Sequence, residues 1–185
     1  MKRLLVVVDY QNDFVDGALG FEGAELLDER IAAKIDEYRE AGDYVAFTLD
    51  THHKNYFETQ EGQKLPIAHC IEGTEGHGLY GTVADRVLES DSVFMKPTFG
   101  SSALFERLQE RQNVAEELGT IPYESIELVG LVSNMCVLSN AVMARAACPD
   151  VPIIVDASCT AAPDPEMHEK ALDILEGLQI SIVNR

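Results

Sequence analysis

Cations are scarce in this chain. Against 32 Asp and Glu there are only 14 Lys and Arg, leaving a formal net charge of −18. A surface of that sign repels phosphate, which excludes nucleic acid and anionic membrane as main partners. Paired cysteine spacing is missing. Cys70, Cys136, Cys148 and Cys159 form no Cys-x-x-Cys. In a chain of this size they read as reduced thiols, not as a disulfide framework. Long apolar runs are missing too. Leu4 to Val8 is too short for the core of a signal peptide and has no cleavage site after it, and no segment approaches transmembrane length. We therefore expect a cytoplasmic protein. No repeat, linker or low-complexity stretch interrupts the chain. Its 185 residues read as a single domain, 1–185, with a full-sized core.

What the chain does have is a regular alternation. Leu4 to Val8, Tyr44 to Leu49, Ser92 to Met95, Ile126 to Gly130, Val151 to Val155 and Ile180 to Val183 read as strands, and the aliphatic ones mark burial on both faces. Helices are expected over about 24–41, 82–89, 102–112, 135–147 and 165–177, the last with proline at its start. The order predicts an α/β fold: a doubly wound, six-stranded parallel sheet with helices on both faces. The stretch 51–80 is irregular, polar and rich in histidine. A loop that long inside a compact domain is usually functional.

Four strands end in chemically useful residues: Asp9, Asp50, Lys96 and the turn before Cys136. In such a sheet these ends share one edge, where ligands bind. A buried cysteine can be a small hydrophobe. At a helix N-terminus, beside a carboxylate and a lysine, it can also be a nucleophile with backbone N–H groups as an oxyanion hole. Four of the five histidines lie between His52 and His77. Asp50-x-His52 with His69 on the same loop fits a two-histidine, one-carboxylate site for Zn²⁺, Fe²⁺ or Mn²⁺. Spacing alone leaves His53, His77 and Glu61 as competing ligands.

These stretches resemble the isochorismatase-like cysteine hydrolases, and within them the nicotinamidases. The carriers are Val6-Val7-Val8-Asp9-Tyr10-Gln11-Asn12-Asp13-Phe14, Asp50-Thr51-His52, Pro66-Ile67-Ala68-His69-Cys70-Ile71-Glu72-Gly73-Thr74-Glu75-Gly76, Lys96-Pro97-Thr98-Phe99 and Gly130-Leu131-Val132-Ser133-Asn134-Met135-Cys136-Val137. The resemblance implies Cys136 as nucleophile, Asp9 as its base and Lys96 as the third member of a triad. It implies a cis Leu131–Val132 peptide, with the Val132 and Cys136 N–H groups forming the oxyanion hole. Asp50, His52 and His69 match the metal ligands, with Glu61 as an extra one. The metal is zinc before iron or manganese. Phe14, Phe99, Leu131 and Met135 match substrate contacts. The implied reaction is hydrolysis of nicotinamide, or a related small aromatic carboxamide, to the acid and ammonia through a cysteine thioester, with a place in NAD salvage. A homo-oligomer, dimer or tetramer, is also implied.

The chain departs from the pattern at the missing tryptophan, at Ala103 and Leu104 where a further pocket aromatic is often found, and at Met135. It has no tryptophan, and Leu65-Pro66 stands where nicotinamidases often carry one before the metal histidine. That keeps open another hydrolase of the superfamily, acting on an N-carbamoyl compound, a ureide or isochorismate. A non-enzymatic α/β scaffold would need neither Asp9, Lys96 nor Cys136.

Overall fold

The computed structural model describes residues 2–185. The strands are β1 (Leu4–Val8), β2 (Tyr44–Asp50), β3 (Ser92–Lys96), β4 (Ile126–Leu131), β5 (Ile153–Ala161) and β6 (Ser181–Val183). They form one parallel sheet in the order β3-β2-β1-β4-β5-β6. The order reverses between β1 and β4, because the chain builds outward first on one side of β1 and then on the other. A crevice opens at such a switch point, beyond the carboxyl ends of the strands.

Alternation along β1 divides the core in two. Leu4, Val6 and Val8 face a layer made by α5 (Ser102–Glu117), α6 (Leu138–Ala147) and α7 (Pro165–Gly177). Leu5 and Val7 face α1 (Asn12–Val15) and α2 (Asp28–Glu40). Both sets are buried, which is why the run reads as continuous rather than alternating.

The sheet matches the expectation, with differences at its ends. A 3₁₀ turn, Ala24–Leu27, precedes α2. Only a single turn, α4 (Gly81–Ala84), forms in the expected 82–89 helix. Helix α5 runs on to Glu117, and Gly119 at φ +64° ends it in the left-handed conformation. Strand β5 continues past Asp156 by way of a register shift opposite Leu128 and Gly130. Within the long loop, α3 (Gln60–Lys64) is capped by Thr59, whose Oγ1 accepts from the Gly62 N–H at 3.0 Å.

Gly130 sets the spacing at the switch. It pairs with Val8, and its φ is +109°. A Cβ placed there would lie 2.0 Å from the Val8 carbonyl oxygen. Only glycine lets β1 and β4 approach this closely at the point where the crevice begins.

Candidate active site

Asp9 follows Val8 at the end of β1 in a left-handed conformation, φ +46°. Its N–H donates to the Thr48 carbonyl, and the Thr48 hydroxyl donates to Asp9 Oδ1 at 2.6 Å. Lys96, the last residue of β3, sends its ammonium 2.6 Å from Asp9 Oδ2. The same Nζ lies 3.2 Å from Asp50 Oδ1, 2.8 Å from the Thr98 carbonyl and 3.5 Å from Cys136 Sγ. Lys96 is 1% exposed and Asp9 fully buried, so the ammonium is screened by protein and not by water. Strand register explains the meeting: Asp50 pairs with Lys96, and Val8 lies between Thr48 and Gly130.

Burial and the two carboxylates shift the charges here. Burial lowers the Lys96 pKa, but Asp9, Cys136 and Asp50 outweigh it, and the lysine stays charged. Burial, aided by Asp50, raises Asp9 above the usual carboxylate range against the pull of Lys96 and Thr48. Burial and then Asp9 push the Cys136 thiol well up, with Lys96 opposing. Burial and Asp9 both push the thiol toward its protonated form. Asp9 Oδ2 has the Lys96 charge beside it but no aligned hydrogen-bond donor among the described residues.

The setting of Cys136 differs from a simple helix start. Residues Ser133–Val137 form a π-turn, with the Val137 N–H reaching the Val132 carbonyl five residues back at 3.2 Å. The preceding Leu131–Val132 peptide is cis. Asn140, one turn into α6, ties this turn down. Its Nδ2 donates to the Cys136 carbonyl at 2.8 Å and to the Phe99 carbonyl at 3.1 Å, and its Oδ1 accepts from the Ser101 N–H at 3.0 Å.

Beside Asp9, Lys96 and Cys136 lies a second cluster. One donor atom from each of Asp50, His52, Glu61 and His69 falls within 4.8 Å of the others. His52 Nε2 is 3.0 Å from Asp50 Oδ2 and 3.5 Å from Glu61 Oε1. His69 Nε2 is 3.3 Å from the same Asp50 oxygen and 3.7 Å from the same Glu61 oxygen. Backbone pairing brings the histidines together: the His52 N–H donates to the Cys70 carbonyl, and the Glu72 N–H to the His52 carbonyl. His69 Nδ1 lies 2.9 Å from the Ile67 carbonyl, which turns Nε2 toward the cluster. His52 Nε2 is buried with no hydrogen-bond partner among the described residues. Two imidazole nitrogens and two carboxylate oxygens converging at this range fit a divalent cation, and that set suits zinc, iron or manganese. His53 and His77 are not in the cluster. His53 pairs with Glu72 in the open, and His77 Nε2 bonds Thr51 Oγ1 at 2.8 Å.

The expected substrate contacts spread over three environments. Phe14 is buried with its ring 5.5 Å from that of His69. Phe99 and Met135 are nearly half exposed, at 45% and 46%. Leu131 is fully buried in the core beneath the turn. Four residues of the site carry no expectation from sequence: Thr48, Asn140, Gln11 and Tyr56. Gln11 is doubly bonded to the Asp50 backbone, accepting from its N–H at 2.8 Å and donating to its carbonyl at 2.9 Å. The Tyr56 ring packs 4.7 Å from His52 and 5.2 Å from His69. Asn140 alone leaves a sequence signal, being four residues beyond Cys136 on the same helical face.

The family model described as Isochorismatase domain matches residues 3–183. An uncharacterized isochorismatase family protein PncA of Bacillus subtilis (strain 168) is 33% identical over 153 residues, 77% of this chain and 78% of that one. A nicotinamidase/pyrazinamidase of Mycobacterium tuberculosis is 29% identical over 147 residues, 75% of this chain and 76% of that one. The crystal structure of nicotinamidase/pyrazinamidase PncA from Bacillus subtilis superposes with a TM-score of 0.82 at 29% identity, covering 98% of this chain and 99% of that one. The family-model match spans nearly the whole chain, and the chain belongs to the isochorismatase family of hydrolases.

Proposed function

We propose that this hydrolase cleaves a small aromatic carboxamide, nicotinamide first, to the carboxylic acid and ammonia. One observation carries the reading: Lys96 holds Asp9 and reaches Cys136 while also pairing with Asp50 of the donor cluster. The thiol and the cluster are therefore joined through one ammonium.

The chemistry has two halves. Cys136 sulfur attacks the amide carbon as Asp9 takes the thiol proton. The C–N bond breaks, Asp9 gives that proton to the departing nitrogen, ammonia leaves, and a thioester remains. Water then loses a proton to Asp9 and attacks the thioester carbon. The C–S bond breaks, and the proton returns to sulfur. Lys96 stays charged throughout and steadies Asp9. The Val132 and Cys136 N–H groups serve as the oxyanion hole, each such donor contributing about 10²–10³ in rate. Phe14, Phe99 and Met135 line the substrate, with Leu131 supporting the turn from behind. Asp50, His52, Glu61 and His69 would hold the divalent ion, zinc before iron or manganese. When bound, it anchors a ring nitrogen or an ordered water. A homo-oligomer belongs to this reading, supported by the apolar Val93 and Met95 that edge strand β3 exposes at 40% and 56%.

The test is ammonia release across nicotinamide, pyrazinamide, benzamide and N-carbamoyl amides, with metal analysis on the same sample. We expect turnover of the first two, lost in Cys136→Ala and reduced by chelation. No turnover of either by metal-loaded protein would overturn the substrate. Turnover by Cys136→Ala would overturn the thioester.

A further inference from the structure

His168 is the one histidine outside the long loop. It lies in the first turn of α7, and its Nδ1 sits 2.9 Å from Ser133 Oγ. Ser133 is fully buried and opens the π-turn that carries Cys136 three residues later. A buried hydroxyl requires a partner, and this one is found on a different element from the turn it belongs to. At the far end of the same turn, Asn140 of α6 holds the Cys136 carbonyl. Two side chains from two helices thus brace the two ends of a five-residue turn. A π-turn is wider and less self-supporting than an α-turn, so its shape depends on such outside bonds. The imidazole is itself only partly buried, so packing does not account for it. Burial lowers its pKa, Glu169 opposes, and Arg185 adds to the lowering. The ring is neutral near pH 7 and can donate to or accept from the hydroxyl.

We propose that His168 is a positioning residue for the nucleophile, acting through Ser133 to fix the Cys136 turn. The proposal rests on Cys136 as the nucleophile of the proposed reaction.

The experiment compares His168→Leu, His168→Asn, Ser133→Ala and the Ser133→Ala/His168→Leu pair. Three quantities are read: kcat and KM for amide hydrolysis, the rate of Cys136 alkylation by iodoacetamide followed by peptide mass spectrometry, and Tm. Loss of one neutral hydrogen bond should lower kcat by about five- to tenfold in His168→Leu and Ser133→Ala, with KM within about twofold. The pair should be no worse than either single change, because both remove the same bond. The amide of Asn can place a polar atom near the position of Nδ1, so His168→Asn should recover most of kcat. Cys136 alkylation should change in the two single variants and recover in His168→Asn. An unchanged kcat and alkylation rate in His168→Leu would overturn the proposal. So would additive losses in the pair, or a His168→Asn protein as impaired as His168→Leu. If no amide is hydrolysed at all, the proposed function falls, and the alkylation rates still decide whether the clamp exists.

Discussion

At the scale of single residues, Lys96 is the group both halves of the site share. It is the counter-charge to Asp9 and to Asp50, and all three are buried. Lys96→Met removes the cation and leaves two carboxyls without it. Breaking buried pairs of this kind costs about 3–5 kcal/mol. We expect a lowered urea midpoint together with loss of amide turnover; a wild-type midpoint would show that the carboxyls do not depend on the ammonium. Asp9→Asn is a different lesion. It keeps the shape and removes the carboxylate proposed to carry the proton, leaving Lys96 with Asp50 as its remaining counter-charge. Its kcat should fall by about 10²–10⁴, with a loss of stability smaller than that of Lys96→Met, as read by steady-state kinetics beside a denaturation curve. Glu61 separates the metal reading from a purely structural cluster. Zinc should raise the Tm of chelator-treated wild type, since an ion that binds the native state stabilises it by mass action. Glu61→Gln should need a higher zinc concentration for the same rise, and equal rises would remove Glu61 from the ligand set.

At the scale of elements, the switch point between β1 and β4 sets the geometry. Gly130→Ala would drive a methyl group into the Val8 carbonyl at 2.0 Å, on a backbone with φ +109°. We expect a loss of more than about 2 kcal/mol in denaturant unfolding and disturbance of Asp9, the next residue after Val8. An alanine variant of native stability would mean that β1 and β4 can separate freely. Most elements are legible in the sequence for local reasons. The unbroken aliphatic run of β1 announces a doubly buried strand, and the apolar residues of β4 do so despite Glu127. Helix α7 is bounded as expected because Asp164 caps it and Pro165 starts it. Asp9, Asp50 and Lys96 are legible because each ends a strand, and parallel strands end on one edge. What escapes the sequence depends on distant partners. The π-turn at Ser133–Val137 is held from α6 and α7, so no local pattern marks it. Thr48 looks like an ordinary strand residue until its hydroxyl meets Asp9, 39 positions away. Tyr56 is one aromatic among several until the fold lays it against two histidines. The upward push on the thiol pKa is likewise invisible, because it comes from burial and from Asp9, far away in the chain.

At the scale of the whole molecule, the acidic excess governs how the protein meets acid. Asp156 lies 2.7 Å from the Lys34 ammonium and accepts from Ser158 and Asn184. Burial favours its neutral form, but these partners outweigh it and hold the carboxyl below its ordinary 3.8. A group lower in the folded than in the unfolded state adds stability above the unfolded value. That contribution is lost as pH falls through the folded one. Tm should therefore stay level from neutral pH downwards and drop below about pH 4, with a shallower drop in Asp156→Asn. An identical acid limb in that variant would assign the loss to other carboxyls. The register that pairs Asp50 with Lys96 reaches further. Side chains on a strand alternate, and here Met95 is 56% exposed while Lys96 is 1% exposed. Removing a single residue inside β3 would exchange the two, sending a thioether to the triad and the ammonium to solvent. The gene can therefore gain or lose codons singly in the surrounding loops, whereas within this strand the active enzyme survives only changes that come in twos.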